Sequence, residues 1–77
     1  MENVNLKNNI KVFRAKRNIT QRELAEEIGV TRKTINTIET GKFVPSTVLA
    51  IKIARYFDTN VETIFELEEE NDENRKN

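Results

Sequence analysis

Arg32, Lys33, Asn36 and Thr37, near the middle of the chain, carry the groups best suited to contact another molecule. On a helix, Asn36 lies one turn beyond Arg32 and Thr37 one turn beyond Lys33. Arg and Lys can donate to the O6 and N7 acceptors of guanine, Arg through two parallel bonds. An Asn amide can pair with adenine, and a Thr can meet a thymine methyl or a phosphate. This is recognition chemistry rather than bond-making. The 77-residue chain has no histidine and no cysteine, so the usual general base, thiolate nucleophile and soft metal ligands are missing. No catalytic residue, metal or cofactor is expected, and an enzyme is disfavoured. By composition alone, four polar residues on a helix also make an ordinary solvated face.

The stretch from Thr20 to Gly41 holds the elements that must position them. Thr20 followed by Glu23 is a capping box, with the hydroxyl accepting from the amide three residues on while the carboxylate reaches back. Leu24, Ala25 and Ile28 give the helix that follows an apolar stripe, and Gly29 can take the left-handed conformation that ends it. Thr31 offers the next cap. Ile35 and Ile38 give the second helix one narrow apolar edge until Gly41 stops it. Two short helices around a turn of about three residues predict a helix-turn-helix over residues 21–40, with Ala25 small enough for close approach. An amphipathic hairpin inside a helical bundle shares this periodicity. At the start of the first helix, the Gln21 amide, unpaired backbone amides and the positive dipole end suit a phosphate. Thr31, with Thr34, offers hydroxyls to phosphate at the start of the second.

The flanking segments read as supports. Asn8 or Asn9 can cap a first helix whose Ile10, Phe13 and Val12 face inward, with Lys11, Lys16 and Arg17 in water and an end near Asn18. Arg14 falls on the core-facing side, where a charge is costly unless paired. Ile19 is placed for a hydrophobic staple against Leu24. After Gly41 and Lys42, whose backbone amides are expected to be open to phosphate, Phe43 is expected to bury against the bundle. Pro45 stops helix continuation, and Ser46 caps a fourth helix reaching about Phe57, with Leu49, Ala50, Ile53, Ala54 and Phe57 as core. Thr59 and Glu62 form another capping box for a last helix from Asn60 to about Phe65. That helix is too small to bury Val61, Ile64 and Phe65 together, so these three are expected as a partly exposed patch suited to a two-fold dimer interface. Val4 and Leu6, and then Phe65 and Leu67, alternate with polar residues and predict a small antiparallel ribbon joining the two ends. The fold class expected is all-α, five helices with that short ribbon.

Charge separates the body from its end. The net charge is zero, yet residues 1–57 hold 11 Lys and Arg against 5 Asp and Glu, a surplus of six, while residues 58–77 hold 2 against 8, a deficit of six. A basic body with an acidic tail points to nucleic-acid contact by the body. One domain is expected over 1–67, followed by an acidic, solubilising tail over 68–77 that is disordered beyond about Glu70. No apolar run approaches the roughly 20 residues of a membrane span, and the N-terminus lacks the apolar core of a signal peptide. A soluble, cytoplasmic chain with no membrane partner is expected.

The run Thr20-Gln21-Arg22-Glu23-Leu24-Ala25, then Gly29-Val30-Thr31, Ile35, Ile38-Glu39, Gly41-Lys42 and Pro45-Ser46, resembles the Cro and phage-repressor type of helix-turn-helix regulator, the XRE family. The likeness covers about Ile10 to Phe65. It implies a compact lambda-repressor-like bundle that binds double-stranded operator DNA as a homodimer, third helix in the major groove. By the same likeness, Arg32, Lys33, Asn36 and Thr37 are base contacts, and Gln21, Thr31, Thr34, Gly41 and Lys42 are phosphate contacts. Arg14 is expected to pair with Glu39, tying the first helix to the third. The function implied is a sequence-specific transcriptional regulator, a repressor on a two-fold symmetric operator. The alternative is a protein-binding module, such as an antitoxin or anti-repressor, with an unidentified protein partner; the neutral overall charge and acidic tail favour it slightly.

Overall fold

The computed structural model describes residues 4–69. The elements run β1 (Val4–Asn8), α1 (Ile10–Arg17), α2 (Gln21–Ile28), α3 (Arg32–Glu39), α4 (Thr47–Tyr56), α5 (Val61–Ile64) and β2 (Phe65–Glu69). Five short helices and one two-stranded antiparallel sheet match the architecture expected from periodicity. In the ribbon, Leu6 stands opposite Leu67 and Asn8 opposite Phe65, so one face is largely apolar. β2 continues through Glu68 and Glu69, opposite Asn5 and Val4, two residues past the boundary expected at 67. What was expected of the chain beyond Glu70 lies outside the described residues.

Local signals set most of the helix ends. Thr20 makes the full capping box: its hydroxyl accepts from the Glu23 amide at 3.0 Å and its own amide donates to Glu23 Oε1 at 2.8 Å. Thr31 and Ser46 cap α3 and α4 with the hydroxyl alone, accepting from the amides of Thr34 and Leu49. Gly29 closes α2 at φ 91°, its amide donating to Ala25 O. At one end the structure chooses between two expected caps, and at another it differs from expectation. At α1 the oxygen comes from Asn8, whose Oδ1 accepts from the Ile10 amide, while Asn9 ties the helix start to Thr63 O and Ile64 O. At α5 the cap is Asn60, which accepts from the Thr63 amide at 2.9 Å, and not Thr59. The reason lies one turn back: Asp58 turns left-handed at φ 62° and the Thr59 amide donates to Ala54 O, so Thr59 is used to close α4.

Every helix sends apolar residues to one core built around six fully buried side chains, Ile10, Leu24, Ile35, Ile38, Ile53 and Ile64. Each contributes about 1.5–3 kcal/mol of transfer free energy. Ala25 and Ala54 let helices approach closely, and Phe57 meets Phe13 at 5.4 Å between ring centroids. Several expectations need correction. Val12 is 52% exposed, because the α1 stripe runs Ile10, Phe13, Arg14 and Val12 points about 200° away from Ile10. Phe43 is 48% exposed in the turn after α3, not buried against the bundle. Leu49 and Ala50 pack at the core's edge rather than inside it. Finally, Ile64 is fully buried and Phe65 nearly so, since β2 begins at Phe65 and swings both inward; only Val61 of the expected patch stays partly exposed.

Candidate nucleic-acid interface

α2 and α3 are joined by only Gly29, Val30 and Thr31, and Ala25 in the buried face of α2 allows their close crossing. Ile35 and Ile38 bury one edge of α3, which leaves Arg32, Lys33 and Asn36 exposed and Thr37 half-buried on the outer side. The Thr37 hydroxyl donates back to Lys33 O and Thr34 O at 3.1 and 3.0 Å, so toward a base it retains an acceptor and a methyl.

A chain of hydrogen bonds fixes this face to the body. Arg14 grips Glu39, at the end of α3, through Nε to Oε2 at 2.6 Å and Nη2 to Oε1 at 3.2 Å, and its Nη1 donates to Ile19 O at 3.1 Å. Their side chains are 15% and 6% exposed, so the pair is largely out of water and worth more than a surface bridge. Gln21 extends the chain outward. Its Nε2 donates to Glu39 Oε1 at 3.0 Å and Asn36 Oδ1 at 3.1 Å, while its Oε1 accepts from Arg32 Nη1 at 3.1 Å. Arg32 and Asn36, the two residues best able to read a base, are thus held by one glutamine from the neighbouring helix. By likeness, the sequence pairs Arg14 with Glu39 and has Gln21 brace the third helix, but it does not say which residues Gln21 meets.

The phosphate candidates divide on closer geometry. At the start of α2, an open depression of about 490 Å³ is lined by Arg14, Ile19, Thr20, Gln21, Arg22 and Arg32. The capping box occupies the Thr20 and Glu23 amides, and the geometry of a first turn leaves those of Gln21 and Arg22 for an anion. Arg22 went unnoticed in the sequence; its place as second residue after a cap, beside Gln21, was the available signal. Thr31 and Thr34 share one hydroxyl–hydroxyl bond of 3.0 Å, so of their two hydroxyl protons one remains to donate outward. The expectation of open amides at Gly41 and Lys42 is corrected: they donate to Ile38 O and Thr37 O at 3.0 and 2.9 Å, closing the end of α3. What that turn offers a phosphate is the exposed Lys42 ammonium.

Another residue outside the expected set, Asn8, anchors the ribbon, with Nδ2 donating to Ile38 O at 2.9 Å. Residues Asn5 to Asn8 of β1 and Glu68 of β2 border Glu39, Thr40 and Gly41, so the ribbon sits at the C-terminal end of α3. Among the described residues, no helix is long and apolar enough to cross a membrane, and no cluster of three or more acidic, His or Cys residues could hold a metal.

Two short helices around a Gly turn, the second presenting cationic and amide side chains outward, define a DNA-binding helix-turn-helix protein. A family profile described as helix-turn-helix matches residues 10–64. The chain belongs to this helix-turn-helix family of DNA-binding transcriptional regulators, which are not enzymes. It is 48% identical over 65 residues to an uncharacterised HTH-type transcriptional regulator of Methanocaldococcus jannaschii, covering 84% of this chain and 98% of the relative. It is 47% identical over 66 residues to an uncharacterised HTH-type regulator of Bacillus subtilis, covering 86% of this chain and 100% of the relative. Among solved structures, a candidate DNA-binding protein from Bacteroides fragilis superposes with a TM-score of 0.71 at 30% identity, covering 79% of this chain and 98% of that one.

Proposed function

We propose that the protein is a sequence-specific repressor that binds a two-fold symmetric operator as a homodimer, with α3 in the major groove. The observation that carries this is the outer face of α3, where Arg32, Lys33 and Asn36 project from a helix locked by buried Ile35 and Ile38 and by the Arg14–Glu39 pair. Such rigidity matters because base readout needs donors held at fixed geometry. On binding, Arg32 exchanges its single bond to Gln21 for two parallel bonds to guanine O6 and N7, and Asn36 turns to adenine. Gln21, Arg22, Thr31, Thr34 and Lys42 hold the backbone on either side, which sets register without reading sequence. The repressor role rests on the likeness to phage repressors.

The test is binding to the DNA upstream of the protein's own gene, titrated against salt with an unrelated fragment as control. A protected site with internal symmetry and half-sites about 10 base pairs apart is expected, preferred about a thousandfold or more. Arg32→Ala should cost about 1–3 kcal/mol per half-site and relax specificity there, whereas Lys42→Ala should weaken all sequences alike and lower the salt slope by about one. No preference at any salt, or the same loss of specificity from both changes, contradicts the assignment and turns attention to a protein partner.

A further inference from the structure

α4 has two apolar sides where one would suffice. Its inner side, Ala50, Ile53, Ala54 and Phe57 just beyond its end, packs on or in the core. On another side Val48 is 64% and Ile51 43% exposed, and Val44, in the extended segment before the helix, is 66% exposed. The helix carries only two charges, Lys52 and Arg55, both toward its C-terminal half. A helix that is apolar over most of its circumference is one that becomes covered on more than one side. The neighbouring ribbon shows the same excess. Leu67, opposite Leu6 and therefore on the same face, is 64% exposed. Between them lies a cleft of about 200 Å³ lined by Leu6, Pro45, Ala50, Ile51, Val61 and Phe65, with Ser46 and Thr47 at one side and no charged side chain in its wall.

We infer that this surface, Val44, Val48, Ile51 and Leu67 around the cleft, is where a second copy of the chain docks. The inference rests on the homodimer reading above and replaces its expected contact residues, since Ile64 and Phe65 are consumed by the core. Three features select a second copy. A two-fold interface must be self-complementary, and this patch carries projecting apolar side chains and a recess for them side by side, so each copy can fill the other. It has no charged group in the recess, which suits a partner equally uncharged there and offers nothing to a polyanion such as DNA. A dimer must also bury apolar surface, and among the described residues Val44, Val48, Ile51 and Leu67 account for most of the large apolar side chains left exposed.

Sedimentation equilibrium of the full chain tests this, with Val48→Glu and Leu67→Glu against a control, Val12→Glu. All three positions are more than half exposed, so folding is unaffected; far-UV circular dichroism and thermal melts check that directly. Each substitution enters a two-fold interface twice, so Val48→Glu and Leu67→Glu should each raise the dimer dissociation constant about a hundredfold or more, while Val12→Glu leaves it unchanged. A wild-type dimer that survives both patch substitutions overturns this interface and leaves the homodimer reading standing. A wild-type chain that is monomeric both free and on its DNA overturns the two together. Capture of a different protein by the patch, with no self-association, overturns the choice of occupant.

Discussion

Arg14→Met tests whether the Arg14–Glu39 clamp holds α3 to the body. Methionine keeps the aliphatic stem and its packing, so the loss is electrostatic. Three hydrogen bonds disappear: two to the Glu39 carboxylate and one to Ile19 O. Glu39, only 6% exposed at its side chain, then keeps a single donor, Gln21 Nε2 at 3.0 Å. Removing one partner of a buried ion pair costs about 3–5 kcal/mol, and the 15% exposure of Arg14 places this case at the low end, about 3 kcal/mol. For a domain of this size that lowers the melting temperature by roughly 12 °C or more, leaving a single small core close to unfolding. Glu39→Gln added to Arg14→Met removes the stranded charge while keeping an acceptor for Gln21, and should restore about 1–2 kcal/mol. Urea and thermal unfolding of wild type, both single variants and the double variant close the cycle. A cost below about 1 kcal/mol for Arg14→Met, or purely additive losses in the double variant, would refute the view that this pair is a desolvated clamp.

Other substitutions probe the supports. Asn8→Ala removes the bond to Ile38 O and the one from the Ile10 amide, and should cost about 1–2 kcal/mol in urea unfolding. Asn5→Ala, on the opposite, exposed face of the ribbon, should stay within about 0.5 kcal/mol; equal effects would show that Asn8 does not anchor the ribbon to α3. Gly29→Ala meets no atom within 4 Å yet forces a side chain to adopt φ 91°, so about 1–2 kcal/mol of purely backbone strain is expected. An unchanged urea midpoint would mean that the turn relaxes out of the left-handed region.

Much of the architecture was legible in local signals. Thr20 with Glu23, Gly29, Thr31 and Ser46 each sit at the helix ends the chain alone indicates, because a cap is a bond between residues three apart and needs no tertiary partner. The apolar periodicity of α2 and α3 marked which face goes inward, and alternation at both ends marked the ribbon. Where two local signals competed, the chain was ambiguous. Thr59 and Asn60 both resemble caps, and the choice fell to Asn60 only because closing α4 uses Thr59 first.

Long-range geometry decided the rest. No spacing rule joins Gln21 to Arg32, Asn36 and Glu39, or Asn8 to Ile38, since those bonds depend on how separate elements cross. The amides of Gly41 and Lys42 look open in sequence and are closed in the fold, because a chain leaving α3 turns back on its own carbonyls. Ile64 and Phe65 look like surplus apolar surface until the ribbon carries Phe65 into the core, which moves the surplus to Val44, Val48, Ile51 and Leu67. The sequence by itself therefore determined the helices, the caps of α2, α3 and α4 and the polar face of α3, all products of interactions within a few residues. Only the tertiary structure decided which polar groups remain free to meet DNA and which apolar ones remain for a partner, because burial and hydrogen-bond satisfaction depend on the whole packed chain.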